Sequence, residues 1–204
     1  ECISAQTDVV RSARGMIGDR PLAVGPITLR MGWNPNATSA PPEAGPDELP
    51  SSVDPRQLSL FAAAWTVGSL KRMTDEGVDT VAYFELQGWK GLIEAREHLT
   101  RRALFPSDPG QLFPVYHVFR ALAPFIGGER VWVTVPKPFE AEALAVTKDG
   151  KALVMMANLT EFAQEIALDG LDLTDPTVAV LDETTYESAS VDPEFVTSSE
   201  GRCR

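Results

Sequence analysis

Cysteine is nearly absent. The chain has only Cys2 and Cys203, each beside an end. They can pair only if the termini meet, so no disulfide framework is implied and a reduced, cytoplasmic location is expected. Long apolar runs are missing too. The stretch from Leu58 to Leu70 is interrupted by Ser59, Thr66 and Ser69, and falls short of the roughly 20 residues of a membrane span. Positive charge is scarce: 18 Lys and Arg stand against 29 Asp and Glu, a net charge of −11. An acidic surface repels phosphate backbones, so neither nucleic acid nor an anionic membrane is an expected partner. The two histidines, His98 and His117, have no second ligand at metal spacing, and neither a metal nor another cofactor is expected. There is no G-x-S-x-G elbow, no phosphate loop and no C-x-x-C pair. Asn36-Ala37-Thr38 and Asn158-Leu159-Thr160 match glycosylation sequons, which is read as chance.

What remains is an ordinary globular composition with an ordered pattern. Val9, Val10, Ala13, Met16 and Ile17 recur at helical spacing and predict a helix over Thr7 to Ile17, stopped by Gly18. Leu22 to Leu29 reads as a strand covered on both faces, with Pro26 forcing a bulge or an early end. Met31 to Val53 is a long loop rich in Pro, Asn, Ser and Gly, either functional or disordered. Asp54-Pro55-Arg56-Gln57 predicts a helix start with a capping box, and the helix runs to about Asp75 with Gly77 as its left-handed stop. Thr80 to Leu86 is a second strand. Leu92 to Arg102 suggests a short helix with Glu94 facing outward, and Pro114 opens another that ends at Gly127-Gly128.

From Arg130 the helical period disappears. Val131, Val133 and Val135 alternate with Trp132 and Thr134. Asp149-Gly150 between two apolar runs is a strong hairpin signal. Phe162 to Leu168 and Thr177 to Leu181 read as further strands. The expected fold class is therefore α/β plus all-β: the C-terminal part of a (β/α)8 TIM barrel over 1–126, a small β-sandwich over 129–197, and a disordered tail over 198–204. Because the chain opens at Glu1 directly into a helical pattern, it is expected to be a segment of a longer protein. The upstream half of the barrel is then its partner, and the isolated segment is expected to be unstable, with Phe61 and Trp65 uncovered, and inactive.

Barrel chemistry sits where strands end. Two such places exist: Arg30 with Trp33, Asn34 and Asn36, and Glu85 with Gln87 and Trp89. Glu85 follows Val81-Ala82-Tyr83-Phe84, so partial burial would raise its pKa and make it a general acid or base. The alternative is a strand-end carboxylate paired with Lys or Arg. Strand parity puts Val81, Tyr83, Glu85 and Gln87 on one side, taken as the side facing the barrel axis. Arg30 can bind an anionic or hydroxyl-rich ligand, or form a rim salt bridge. Trp33 and Trp89 suit the C–H face of a sugar, or ordinary packing. Asn34, Asn36 and Gln87 supply neutral hydrogen-bonding groups for a polyol.

Several segments together carry a family resemblance: Pro26-Ile27-Thr28-Leu29-Arg30, Asn34-Pro35-Asn36-Ala37-Thr38, Val53-Asp54-Pro55-Arg56-Gln57, Leu60-Phe61-Ala62-Ala63-Ala64-Trp65-Thr66, Gly88-Trp89-Lys90-Gly91, Phe113-Pro114-Val115-Tyr116-His117-Val118 and Ala157-Asn158-Leu159-Thr160. The chain resembles the C-terminal part of a D-apionate lactonase, up to about Phe195. The resemblance implies a clan-A glycosidase-like barrel, of which this chain carries units seven and eight, and hydrolysis of a sugar-acid lactone. The clan-A pattern places a nucleophilic Glu at the end of strand seven, about 5–5.5 Å from its acid/base partner in retaining enzymes. Here that place reads Thr28-Leu29-Arg30, with no carboxylate. A lactonase is thus favoured, with Glu85 as base and Arg30 on the oxyanion or a hydroxyl. The alternatives are a glycosidase with a displaced nucleophile, and a non-catalytic carbohydrate-binding or structural piece.

Overall fold

The computed structural model describes residues 3–32, 36–40, 42–96, 102–170 and 176–198. Helix α1 spans Ile3–Ile17, starting four residues before the predicted helix because Ile3 and Val10 bury one stripe of it. Gly18 closes it with a positive φ of 62°. Strand β1, Ala23–Ile27, follows. After the long loop comes a single 3-10 turn, Pro55–Leu58, capped by the Asp54 side chain accepting from Arg56 N. The expected capping box does not form. Gln57 is instead buried, and its Nε2 donates to Gly91 O at 2.8 Å. The chain straightens at Ser59, and α2 runs Leu60–Asp75 to Gly77, whose φ of 66° is the predicted left-handed stop.

Strand β2, Thr80–Tyr83, lies parallel to β1, with Ala23 opposite Thr80 and Ile27 opposite Tyr83. The register shifts between Val24 and Ile27, where Pro26 sits. The predicted adjacent parallel pair is thus present, and among the described residues it is a two-stranded sheet. Helix α3 spans Pro114–Leu122. The helix expected over Leu92 to Arg102 is not found in its described part. Ile93 is bridged to Gln87 on one side and Leu112 on the other, which holds this stretch extended; residues 97–101, His98 among them, lie outside the described residues.

Strands β3 (Glu129–Val131), β4 (Ala141–Lys148) and β5 (Lys151–Asn158) form one antiparallel sheet. The β4–β5 turn is Asp149-Gly150, with φ of 51° and 73°, both in the left-handed region that such two-residue hairpins require. The rest departs from the expected sandwich. Phe162 to Leu168 and the described residues 177–181 form no strand. Among the described residues no strand pairs with them, and Phe162, Ile166, Leu168 and Val180 stay exposed. Helix is not absent after Gly128 either: α4 spans Tyr186–Val191 and α5 Phe195–Ser198. Residues 199–204 lie outside the described ones, as do Cys2 and Cys203.

Helix α2 is the hub. It packs against α1, α3, β4 and β5, which is why ten of its residues are buried around much of its circumference. Ala63, Val67 and Leu70 share one core with Val118, Leu144 and Ala157. Trp65 is buried, contrary to expectation, while Phe61 is 37% exposed. Around this core, Arg72 pairs with the fully buried Glu142 of β4, and Arg130 donates to Thr74 O and Asp75 O at the end of α2. Among the described residues no helix is long and apolar enough to cross a membrane.

Candidate active site

Parallel pairing brings the carboxyl ends of β1 and β2 to the same edge, where Phe84 N donates to Ile27 O at 3.1 Å. Arg30 leaves three residues past one end of the pairing and Glu85 two past the other. The two loops that follow share a second apolar core. Val53, Phe105 and Phe113 are buried there with Ala62 and Val115, flanked by Leu29, Phe84, Trp89 and Leu92. The bond from Gln57 to Gly91 O stitches the loops together.

On the first loop, Arg30 Nε lies 3.5 Å from Asp54 Oδ2; the arginine is half exposed and the aspartate buried. Asp54 also receives Arg56 Nη2 at 2.8 Å and Nε at 3.0 Å. These hydrogen bonds from Arg56 hold its carboxyl below the usual carboxylate range, against the opposing pull of burial. Two guanidiniums thus share one carboxylate, and the cluster carries a net positive charge.

On the second loop, β2 stops at Tyr83, and Phe84 turns out of the strand with φ of 48°. The predicted strand to Leu86 is therefore three residues too long. The expected parity also fails. Tyr83 faces the helices: its OH lies 2.7 Å from Ser69 Oγ on α2 and its ring 5.6 Å from that of Phe119. Burial pushes the Tyr83 phenol up to about 12. The opposite face of the sheet carries Ala23, Gly25, Thr80 and Ala82, all exposed.

Glu85 itself is 55% exposed, so the partial burial expected of it is not found; its Oε1 lies 2.5 Å from Lys90 Nζ. A tight turn builds that pair. Glu85 N donates to Lys90 O at 3.0 Å and Gly91 N to Gly88 O at 2.8 Å. Gly91 is required there, because a Cβ would sit 2.7 Å from the carbonyl carbon of Gln87. Gln87 is exposed. Trp89 is half-buried, its ring 5.8 Å from that of Phe105, so one face is committed to packing. Asn36 is exposed, while Trp33 and Asn34 lie outside the described residues.

Glu85 and Arg30 are thus found in the ion pairs that the sequence reading held as alternatives, Glu85 with Lys90 and Arg30 with Asp54, though the sequence did not name those partners. Sequence reading misplaced Glu94, which is buried rather than outward-facing. Glu94 accepts from Ala95 N at 2.8 Å and from Ser107 Oγ. The signal was present, since Glu94 directly follows the apolar pair Leu92-Ile93. Among the described residues no group of His, Cys, Asp and Glu is placed to hold a metal ion. The arrangement offers a carboxylate that can accept a proton and cations that can face a developing oxyanion.

A family model described as D-apionate lactonase, TIM barrel domain, matches residues 1–127. A second, described as D-apionate lactonase, C-terminal immunoglobulin-like domain, matches residues 138–204. No curated protein and no solved structure matches the chain. The first match contains the parallel pair with both strand-end loops, and the second contains β4, β5 and the helices that return to α3. Matched in that order along its length, the chain belongs to the D-apionate lactonase family.

Proposed function

We propose that the protein hydrolyses a sugar-acid lactone of the D-apionolactone kind to the open hydroxy acid. β1 and β2 are then the last two strands of a closed eight-stranded barrel whose other strands come from chain outside these 204 residues. Water attacks the lactone carbonyl as Glu85 takes its proton. The carbonyl oxygen becomes an oxyanion facing Lys90 or Arg30. When the carbonyl re-forms, the ring C–O bond breaks and the leaving alkoxide takes the proton back. The sugar hydroxyls meet Asn34, Asn36 and Gln87, and the ring lies on Trp33 or the open face of Trp89.

The observation that carries this reading is the Glu85–Lys90 pair, standing at the same strand edge as Arg30. It supplies a base and a cation within one turn of chain. A retaining glycosidase is disfavoured, because Thr28, Leu29 and Arg30 follow β1 where that mechanism needs a carboxylate. The test is E85Q in the full-length protein, with lactone opening followed by proton release. The expected kcat falls by about 10²–10⁴-fold, the worth of a general base, with KM changed less. Wild-type turnover in E85Q, or cleavage of an aryl glycoside in place of the lactone, would overturn it.

A further inference from the structure

We propose that Tyr186 is a positioning residue, through which α4 sets the loop that carries Glu85. The inference rests on the reading of Glu85 above. That loop is the first part of a hydrogen-bonded ladder rather than a free flap. Leu92 N and Ile93 N both donate to Leu86 O at 3.2 Å, and Gly88 N donates to Ile93 O at 2.9 Å. The ladder passes next to the segment before α3, with Glu94 N on Gln111 O at 2.8 Å and Phe113 N on Leu92 O at 2.9 Å. Its last rung crosses to α4, where Leu112 N donates to Ser190 O at 2.9 Å.

Tyr186 closes the side of this ladder. Its hydroxyl accepts from Gln111 Nε2 at 3.2 Å and donates to Leu58 O at 2.8 Å. Gln111 is the node of the second loop, since its Oε1 also accepts from Asp108 N at 2.8 Å. Leu58 ends the turn that follows the first loop. One hydroxyl therefore ties the exits of both strand-end loops. Helix α4 is a firm support for it: Ala189 is buried, its carbonyl lies 2.8 Å from His117 Nε2 of α3, and in the segment that follows α4 Glu194 pairs with Arg120 of α3 at 2.5 Å.

The experiment uses the full-length protein with Y186F, which keeps the ring and removes both bonds. Hydrogen exchange over residues 84–96 is expected to quicken by about 5–30-fold, the equivalent of one or two hydrogen bonds, with residues 60–75 unchanged. Because small misplacements of a reacting group are costly, kcat should fall by about tenfold or more while KM stays within about twofold. Q111M keeps the Tyr186–Leu58 bond, removes the loop's bond to Tyr186 together with the one from Asp108 N, and should move both readouts in the same direction, whether or not Y186F folds. Unchanged exchange over 84–96, or faster exchange with wild-type kcat, would overturn the proposal. Failure of the Glu85 assignment shows separately, as wild-type turnover in E85Q while the loop's exchange still responds to Tyr186.

Discussion

His117 illustrates how a single residue can change meaning between sequence and structure. In the sequence it is one of two histidines, without a second ligand at metal spacing. In the fold it is fully buried, bonded to Ala189 O, ringed by Tyr116 and Phe195, and its Nδ1 has no hydrogen-bond partner among the described residues. Burial lowers its pKa, more than the bond to Ala189 and the nearby charge of Asp192 raise it. The unfolded chain therefore binds this proton before the folded one does. The stability contributed by neutral His117 is complete above about pH 6.5 and is lost as pH falls toward the lower folded value. H117Q can still donate to Ala189 O but does not titrate. Urea unfolding at about pH 7.5 and about pH 5 should show wild type losing more stability on acidification than H117Q. Equal losses would mean that His117 does not set this dependence. The site residues were legible to the same limited extent. Glu85 and Arg30 were found because they follow apolar strands. Their partners were not, because Lys90 returns through a glycine turn and Asp54 arrives across the long loop.

At the scale of elements, the legible parts were those whose signal is local. The Asp149-Gly150 hairpin, the Gly77 stop and each strand of the parallel pair were written in a few adjacent residues. Helix α4 was not. Its six residues, Tyr-Glu-Ser-Ala-Ser-Val, are too few to hold a helix alone, and it exists through contacts with residues far away in the chain: Leu58, Gln111, Leu112 and His117. The apolar stretch from Phe162 to Leu168 misled for the converse reason, since such a stretch makes a strand only beside a partner. The β1–β2 pair yields a direct prediction. A Cβ on Gly25 would lie 2.8 Å from Ala82 Cβ. Gly25→Ala should therefore push the strands apart and cost about 1–3 kcal/mol, the usual price of overpacking. Denaturant midpoints measure this, and a neutral substitution would show that β1 can slide at no cost.

For the whole molecule, the question is whether two family domains make one cooperative unit. Leu144 of β4 is buried in the same core as Ala63, Val67 and Leu70 of α2 and Val118 of α3. Leu144→Ala should then destabilise by about 2–5 kcal/mol and keep a single transition in which probes on both domains coincide. Separate transitions would show that the shared core does not couple them. The sequence offered no hint that α2 packs against both α3 and the β4–β5 sheet, because burial around a helix reads as plain hydrophobicity until its neighbours are known.

The Arg72–Glu142 pair has a consequence for how such proteins can diverge. Glu142 is fully buried, so its charge is tolerable only with the arginine of α2 beside it. The two positions lie in different family domains. A C-terminal domain transplanted from a relative would bring position 142 without position 72, and a mismatched graft would strand one charge. A graft of one domain is therefore expected to fold well only where the donor's position 142 and the recipient's position 72 stay complementary, both charged as here or both apolar.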